Sequence, residues 1–115
     1  MKSDWTLYHN PKCSKSRQTK ELLESKNINF TTVEYLSDPL SKLELKEIIS
    51  KLGCRPKDVI RTKEIEFKSL NIDLENDQQV LDAIVKLPKL LERPIVVHKK
   101  QAQIGRPPEN ILKLF

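Results

Sequence analysis

The first third of the chain alternates strand-like and helix-like patterning in an order that few folds accommodate. "WTLY", residues 5–8, mixes aromatic and β-branched types as a strand does. A polar loop then carries Cys13 straight into "SKSRQTKELLES", residues 14–25, where Leu22 and Leu23 mark a buried face among charges and Ser, Thr or Asn stand near the ends. "NFTTVEYL", residues 29–36, reads as a second strand, with Phe30, Thr32 and Glu34 on one side and Thr31, Val33 and Tyr35 on the other. Two strands joined through a helix prefer parallel pairing and a right-handed crossover.

The middle of the chain is mostly helical. Ser41 precedes "KLELKEIISKLG" with Glu44 three residues on, the signature of a capping box, and Leu45, Ile48, Ile49 and Leu52 form an apolar stripe that Gly53 stops. "RPKDVIR" reads as a turn or short helix ending at Arg61, and a polar stretch follows it. "DQQVLDAIVKLPKLL", residues 77–91, holds Val80, Leu81, Ile84, Val85 and Leu87 at helical spacing and is broken by Pro88. "PIVVH" and "AQIG" form a hairpin, and "PPENILKLF" a last helix with prolines in its first turn. The order is therefore β-α-β, a helical interval, then β-β-α. At 115 residues this is one domain, residues 1–115, with a helical insertion at about 40–90.

Composition narrows the function classes. The chain is 32% charged, no stretch approaches the roughly 20 apolar residues of a membrane span, and the start lacks the apolar core of a secretion signal. A cytoplasmic location without membrane association is expected. Cys13 and Cys54 lie 41 positions apart, which fits no compact zinc spacing and no disulfide scaffold, so no metal is expected. The formal charge of +5 favours anionic partners, either nucleic acid or a small oxyanion. Lys and Arg are dispersed among Asp and Glu, and no nucleic-acid partner is expected.

The order strand, loop, cysteine, helix puts Cys13 at the first turn, where unpaired amides and the positive end of the helix dipole favour a thiolate. His9, four residues before it, and Arg17, four residues after it, could add positive field. The bland alternative is a small residue packing a helix start, but the flanks "NPKCSKSR" are polar and basic, which suits an exposed nucleophile that meets an anion. Ser14, Lys15 and Ser16 offer amides for an anion cradle. Ser16 stands where a CxxC pair carries its second cysteine, so a thiol from elsewhere must release any adduct on Cys13. Cys54, after Gly53, reads as structural. Arg61, Arg93 and Arg106 are each solvated charges in the ordinary reading, yet a fold that gathered them around Cys13 would grip a tetrahedral oxyanion.

"YHNPKCSKSRQT", Arg61, "ERPIVV" and "IGRPPENILKLF" together resemble the glutaredoxin-coupled arsenate reductase family, and the likeness spans nearly the whole chain. The resemblance implies an α/β, thioredoxin-like (glutaredoxin-like) core with a four-stranded mixed sheet and a helical insertion. It implies Cys13 as catalytic cysteine, His9 as the residue that tunes its thiolate, and Arg17 as part of the same loop motif. Arg61, Arg93 and Arg106 match the family's oxyanion-binding arginines, and Pro94 matches a structural proline that is cis beside the cysteine.

The implied reaction is attack of Cys13 on arsenate through a covalent cysteine–arsenic intermediate, with glutathione as co-substrate and glutaredoxin as reductant. A monomer without a bound cofactor suffices for it. Two other functions fit related chains. One is a redox-related regulator that binds the transcription machinery, often through a CxxC switch; the other is a general glutathione-linked thiol oxidoreductase, which would not need Arg61, Arg93 and Arg106 together.

Overall fold

The computed structural model describes residues 4–115, which form four strands and four α-helices: β1 (Trp5–Tyr8), α1 (Ser14–Ser25), β2 (Thr31–Val33), α2 (Lys42–Leu52), α3 (Ile65–Lys68), α4 (Asp77–Lys86), β3 (Ile95–His98) and β4 (Gln101–Ile104). Short 3-10 turns cover Pro56–Asp58, Pro88–Leu90 and Pro108–Leu114. The chain divides into two compact units, one made of residues up to Asp38 together with Arg93–Phe115, the other of Pro39–Glu92.

The first unit is a four-stranded mixed sheet in the order β2-β1-β3-β4. β1 pairs parallel with β2, as a helix-connected strand pair should, and antiparallel with β3, which pairs antiparallel with β4. The fold class is α/β with a thioredoxin-like core, and the second unit is a helical insertion in its sequence. Leu7 of β1, Leu23 of α1, Val96 of β3, and Ile111 and Leu114 of the last turn form the core, with Trp5, Leu22, Ile28 and Phe30 packed against it. Each such aliphatic side chain contributes about 1.5–3 kcal/mol on burial.

Three expectations change in this unit. β2 is shorter than residues 29–36, because its partner β1 ends at Tyr8 and the register stops at the Tyr8–Val33 pair. Beyond it the amides of Ser37 and Asp38 turn back onto the Glu34 carbonyl. The C-terminal segment is 3-10 rather than α: Pro107 and Pro108 supply no amide hydrogens, and bonds such as Asn110 N to Pro107 O, 3.0 Å, span three residues. The buried face of α1 consists of Ser16, Thr19 and Leu23, so two of its three inward positions are polar.

In the second unit, α2 starts with the full capping box between Ser41 and Glu44 and ends at Gly53, whose φ of 71° is the left-handed cap that glycine adopts most readily. Its stripe of Leu45, Ile48 and Ile49 is buried, as are Val80, Leu81 and Ile84 of α4. α4 stops at Lys86, short of the Pro88 turn. The four-residue α3 has no counterpart in the sequence reading, and Ile65 in it is exposed.

Candidate active site

The site grows out of the C-terminal end of β1. His9 N donates to Val33 O at 2.9 Å, extending the sheet by one residue before the chain leaves it. Asn10 then organises the turn: its carbonyl accepts Cys13 N at 3.0 Å, and its side-chain Oδ1 accepts Lys12 N at 3.0 Å. This asparagine-centred turn uses the side chain in place of a backbone acceptor. Cys13 follows as the N-cap of α1, in extended conformation with φ −96° and ψ 124°, and its carbonyl accepts Arg17 N.

The sulfur is half-buried and free. Burial opposes its ionisation, but the amides of Ser16 and Lys15 and the hydrogen-bonding guanidinium of Arg93 outweigh it, and the thiol pKa is lowered. The first turn of α1 carries no acidic residue, so no carboxylate competes for the positive end of the helix. Cys54 is the opposite case: burial and then the Asp58 carboxylate push its thiol up.

Two of the three distant arginines meet Cys13. Arg93 bonds its side chain as just described, and Arg106 places Nη1 3.9 Å from Sγ while donating to the Arg93 carbonyl at 3.2 Å. The Arg106 carbonyl in turn accepts from Asn110 Nδ2 at 3.0 Å. Arg61 belongs to the second unit, where it pairs with Glu64 at 3.1 Å and Glu92 at 3.4 Å.

Arg17 donates to the Pro11 carbonyl at 3.0 Å, clamping the loop ahead of the cysteine. The Arg93–Pro94 bond is cis, as the resemblance implies, and the Arg106–Pro107 bond is cis as well. Gly105 donates to Pro94 O at 2.9 Å and sits so close to α1 and Pro94 that a Cβ there would lie 2.5 Å from Thr19 Oγ1.

His9 departs from expectation. It is only 4% exposed, and burial, the Lys20 charge and the Arg17 charge lower its pKa against the opposing pull of Glu34. The lowered pKa disfavours the charged imidazole and so weakens the positive field expected of this residue. Its Nδ1 lies 2.6 Å from Ser16 Oγ, which also accepts Asn10 N at 3.0 Å. Ser16 is the site residue the sequence reading undervalued; a small polar residue on the inward face of a helix was the available signal.

Among the described residues no group of three or more His, Cys, Asp or Glu side chains is placed to hold a metal, and no helix is long and apolar enough to cross a membrane. The arrangement is a half-buried cysteine with a favoured thiolate, faced by two guanidinium groups that can neutralise an oxyanion approaching the sulfur. It is a single-cysteine site with two guanidinium groups beside the sulfur, on a thioredoxin-like fold.

The sequence pattern of the ArsC family matches residues 8–114, and the chain belongs to that family. It is 45% identical over 112 residues to an arsenate reductase of Haemophilus influenzae, covering 95% of this chain and 97% of the relative. The solved structure of an arsenate reductase from Vibrio cholerae superposes with a TM-score of 0.94 at 41% identity, covering all of both chains. A relative at 35% identity over 112 residues, covering 96% of this chain and 86% of the other, is the global transcriptional regulator Spx of Listeria innocua.

Proposed function

We propose that the chain reduces arsenate to arsenite, with Cys13 as nucleophile. The observation that carries this reading is the convergence of Arg93 and Arg106 on a sulfur whose ionised form is favoured. Arsenate is a tetrahedral oxyanion. Guanidinium groups beside the thiolate offset the repulsion between two anions and bind the oxygens in paired hydrogen bonds, while the sulfur keeps its path to arsenic. The family resemblance implies an oxyanion-binding role for Arg61 as well.

The Cys13 thiolate forms a sulfur–arsenic bond, and one arsenate oxygen leaves as water after protonation. Glutathione attacks the arsenic next, displacing a second oxygen as water, and glutaredoxin takes the glutathione sulfur as a mixed disulfide. The glutathione and glutaredoxin thiols are thereby oxidised to one disulfide as arsenic(V) becomes arsenic(III), and water cleaves the remaining sulfur–arsenic bond, releasing arsenite and the Cys13 thiolate. An external thiol is needed because the position three residues after Cys13 is Ser16, whose hydroxyl is already engaged by His9 and Asn10.

An arsenate-reduction assay coupled through glutathione and glutaredoxin, run on wild type and Cys13→Ser, tests the proposal. Turnover by wild type and none by Cys13→Ser is the expected outcome. Activity that survives the substitution removes Cys13 as nucleophile. Absence of arsenate-dependent turnover in wild type moves the function to another thiol reductase or to a regulator, the reading that the Listeria relative supports.

A further inference from the structure

The Ser16 hydroxyl, unlike its backbone amide, has no part in the chemistry just described, yet it is fully buried and joins two separate pieces of the loop. The Asn10 amide can only donate, so in that 3.0 Å bond Ser16 Oγ is the acceptor. The hydroxyl's single proton remains, and the ring nitrogen of His9 stands 2.6 Å away. Were Nδ1 to carry the proton instead, the hydroxyl would accept twice and its own hydrogen would need another partner inside a fully buried site, a costly arrangement. The charged groups that act on the His9 ring are Lys20 and Arg17 from α1, which disfavour a positive imidazole, and Glu34 beyond β2, which favours it.

The consequence reaches the sulfur through the chain itself. Ser16 presents its backbone amide toward Cys13, while its side chain holds Asn10, whose carbonyl and Oδ1 shape the turn immediately before the cysteine. We propose that Ser16 is a positioning residue: its hydroxyl fixes His9 as the neutral, Nε2-protonated tautomer and ties the Asn10 turn to α1, setting the angle at which the sulfur meets the helix amides. This rests on the reading of Cys13 as the nucleophile. Where a CxxC protein places a resolving thiol, this chain has a brace.

The test uses the full chain and no arsenate, so it is independent of whether arsenate is the substrate. Nitrogen-15 spectra of the imidazoles at neutral pH report the tautomer of His9, and the rate of iodoacetamide alkylation reports the thiolate of Cys13. In wild type, His9 is expected to be neutral with the proton on Nε2. In Ser16→Ala, His9 is expected to lose that single tautomer and Cys13 alkylation at pH 7 to slow about 3- to 10-fold, the scale of one net hydrogen bond. A wild-type His9 protonated on Nδ1 overturns the proposal. So does a folded Ser16→Ala protein in which the alkylation rate is unchanged, whether or not His9 responds. Should Ser16→Ala fail to fold, the wild-type tautomer decides alone: Nε2–H upholds the assignment and Nδ1–H overturns it.

Discussion

Replacing Gly105 by alanine adds one methyl group where three packed pieces of the first unit meet. The new Cβ would lie 2.5 Å from Thr19 Oγ1, 2.9 Å from Pro94 Cγ and 3.3 Å from Thr19 Cγ2. None of these neighbours yields easily. Thr19 is fully buried and its hydroxyl donates to Lys15 O at 2.9 Å, so rotating it away breaks a bond in the first turns of α1. Pro94 is a buried ring whose carbonyl accepts Gly105 N.

Overpacking of this kind costs about 1–3 kcal/mol, which for a domain of this size lowers Tm by about 4 °C per kcal/mol. Urea unfolding of wild type and Gly105→Ala measures it directly. The same change made in Thr19→Ala should cost less, by about 0.5 kcal/mol or more, because the two closest side-chain atoms of Thr19 are gone. A loss below about 0.5 kcal/mol, or strict additivity of the two substitutions, would refute the close-approach reasoning.

Other perturbations probe the site and the caps. Arg106→Ala, at an exposed position 3.9 Å from the sulfur, should lower kcat/KM for arsenate by about 10–100-fold while the urea midpoint stays near wild type; equal loss of folding would contradict its role at the site. Arg93→Gln should slow Cys13 alkylation at neutral pH, since that guanidinium favours the thiolate; an unchanged rate would remove Arg93 from the site. His9 has a lowered folded pKa, so between that value and the unfolded value near 6.5 the unfolded chain binds more protons. The stability His9 contributes is present above about pH 6.5 and is lost as pH falls below it, and His9→Gln should flatten that limb of the unfolding free energy against pH. Ser41→Ala should cost about 1 kcal/mol in urea unfolding through loss of the α2 capping box, and no loss would leave the cap without energetic weight.

Local patterns in the sequence specify most of the sheet and the longer helices. The bounds of β1 and α1 follow from the change of period on either side of Cys13, and α2 is announced by Ser41, Glu44 and Gly53. Long-range partners were not legible in the same way. β2 is trimmed by the length of β1, and the polar inner face of α1 exists because Ser16 and Thr19 answer to His9, Asn10 and Gly105, residues of loops and strand ends.

The site divides likewise. A thiolate-favouring position for Cys13 follows from strand, loop and helix order, whereas Arg93 and Arg106, about 80–90 residues further on, could be attached to it only through family resemblance. The lowered pKa of His9 was invisible, because burial and the surrounding charges cause it and both come from tertiary packing.

Both cysteines of the chain are half-buried, and their surroundings drive the two thiols in opposite directions. Alkylating the native protein at pH 7 and following each cysteine by mass spectrometry, with and without arsenate, therefore uses Cys54 as the control for Cys13. Cys13 should react first, and arsenate should slow its reaction while leaving that of Cys54 unchanged. Equal or faster labelling of Cys54, or a Cys13 rate indifferent to arsenate, would contradict an ionised sulfur facing an oxyanion site.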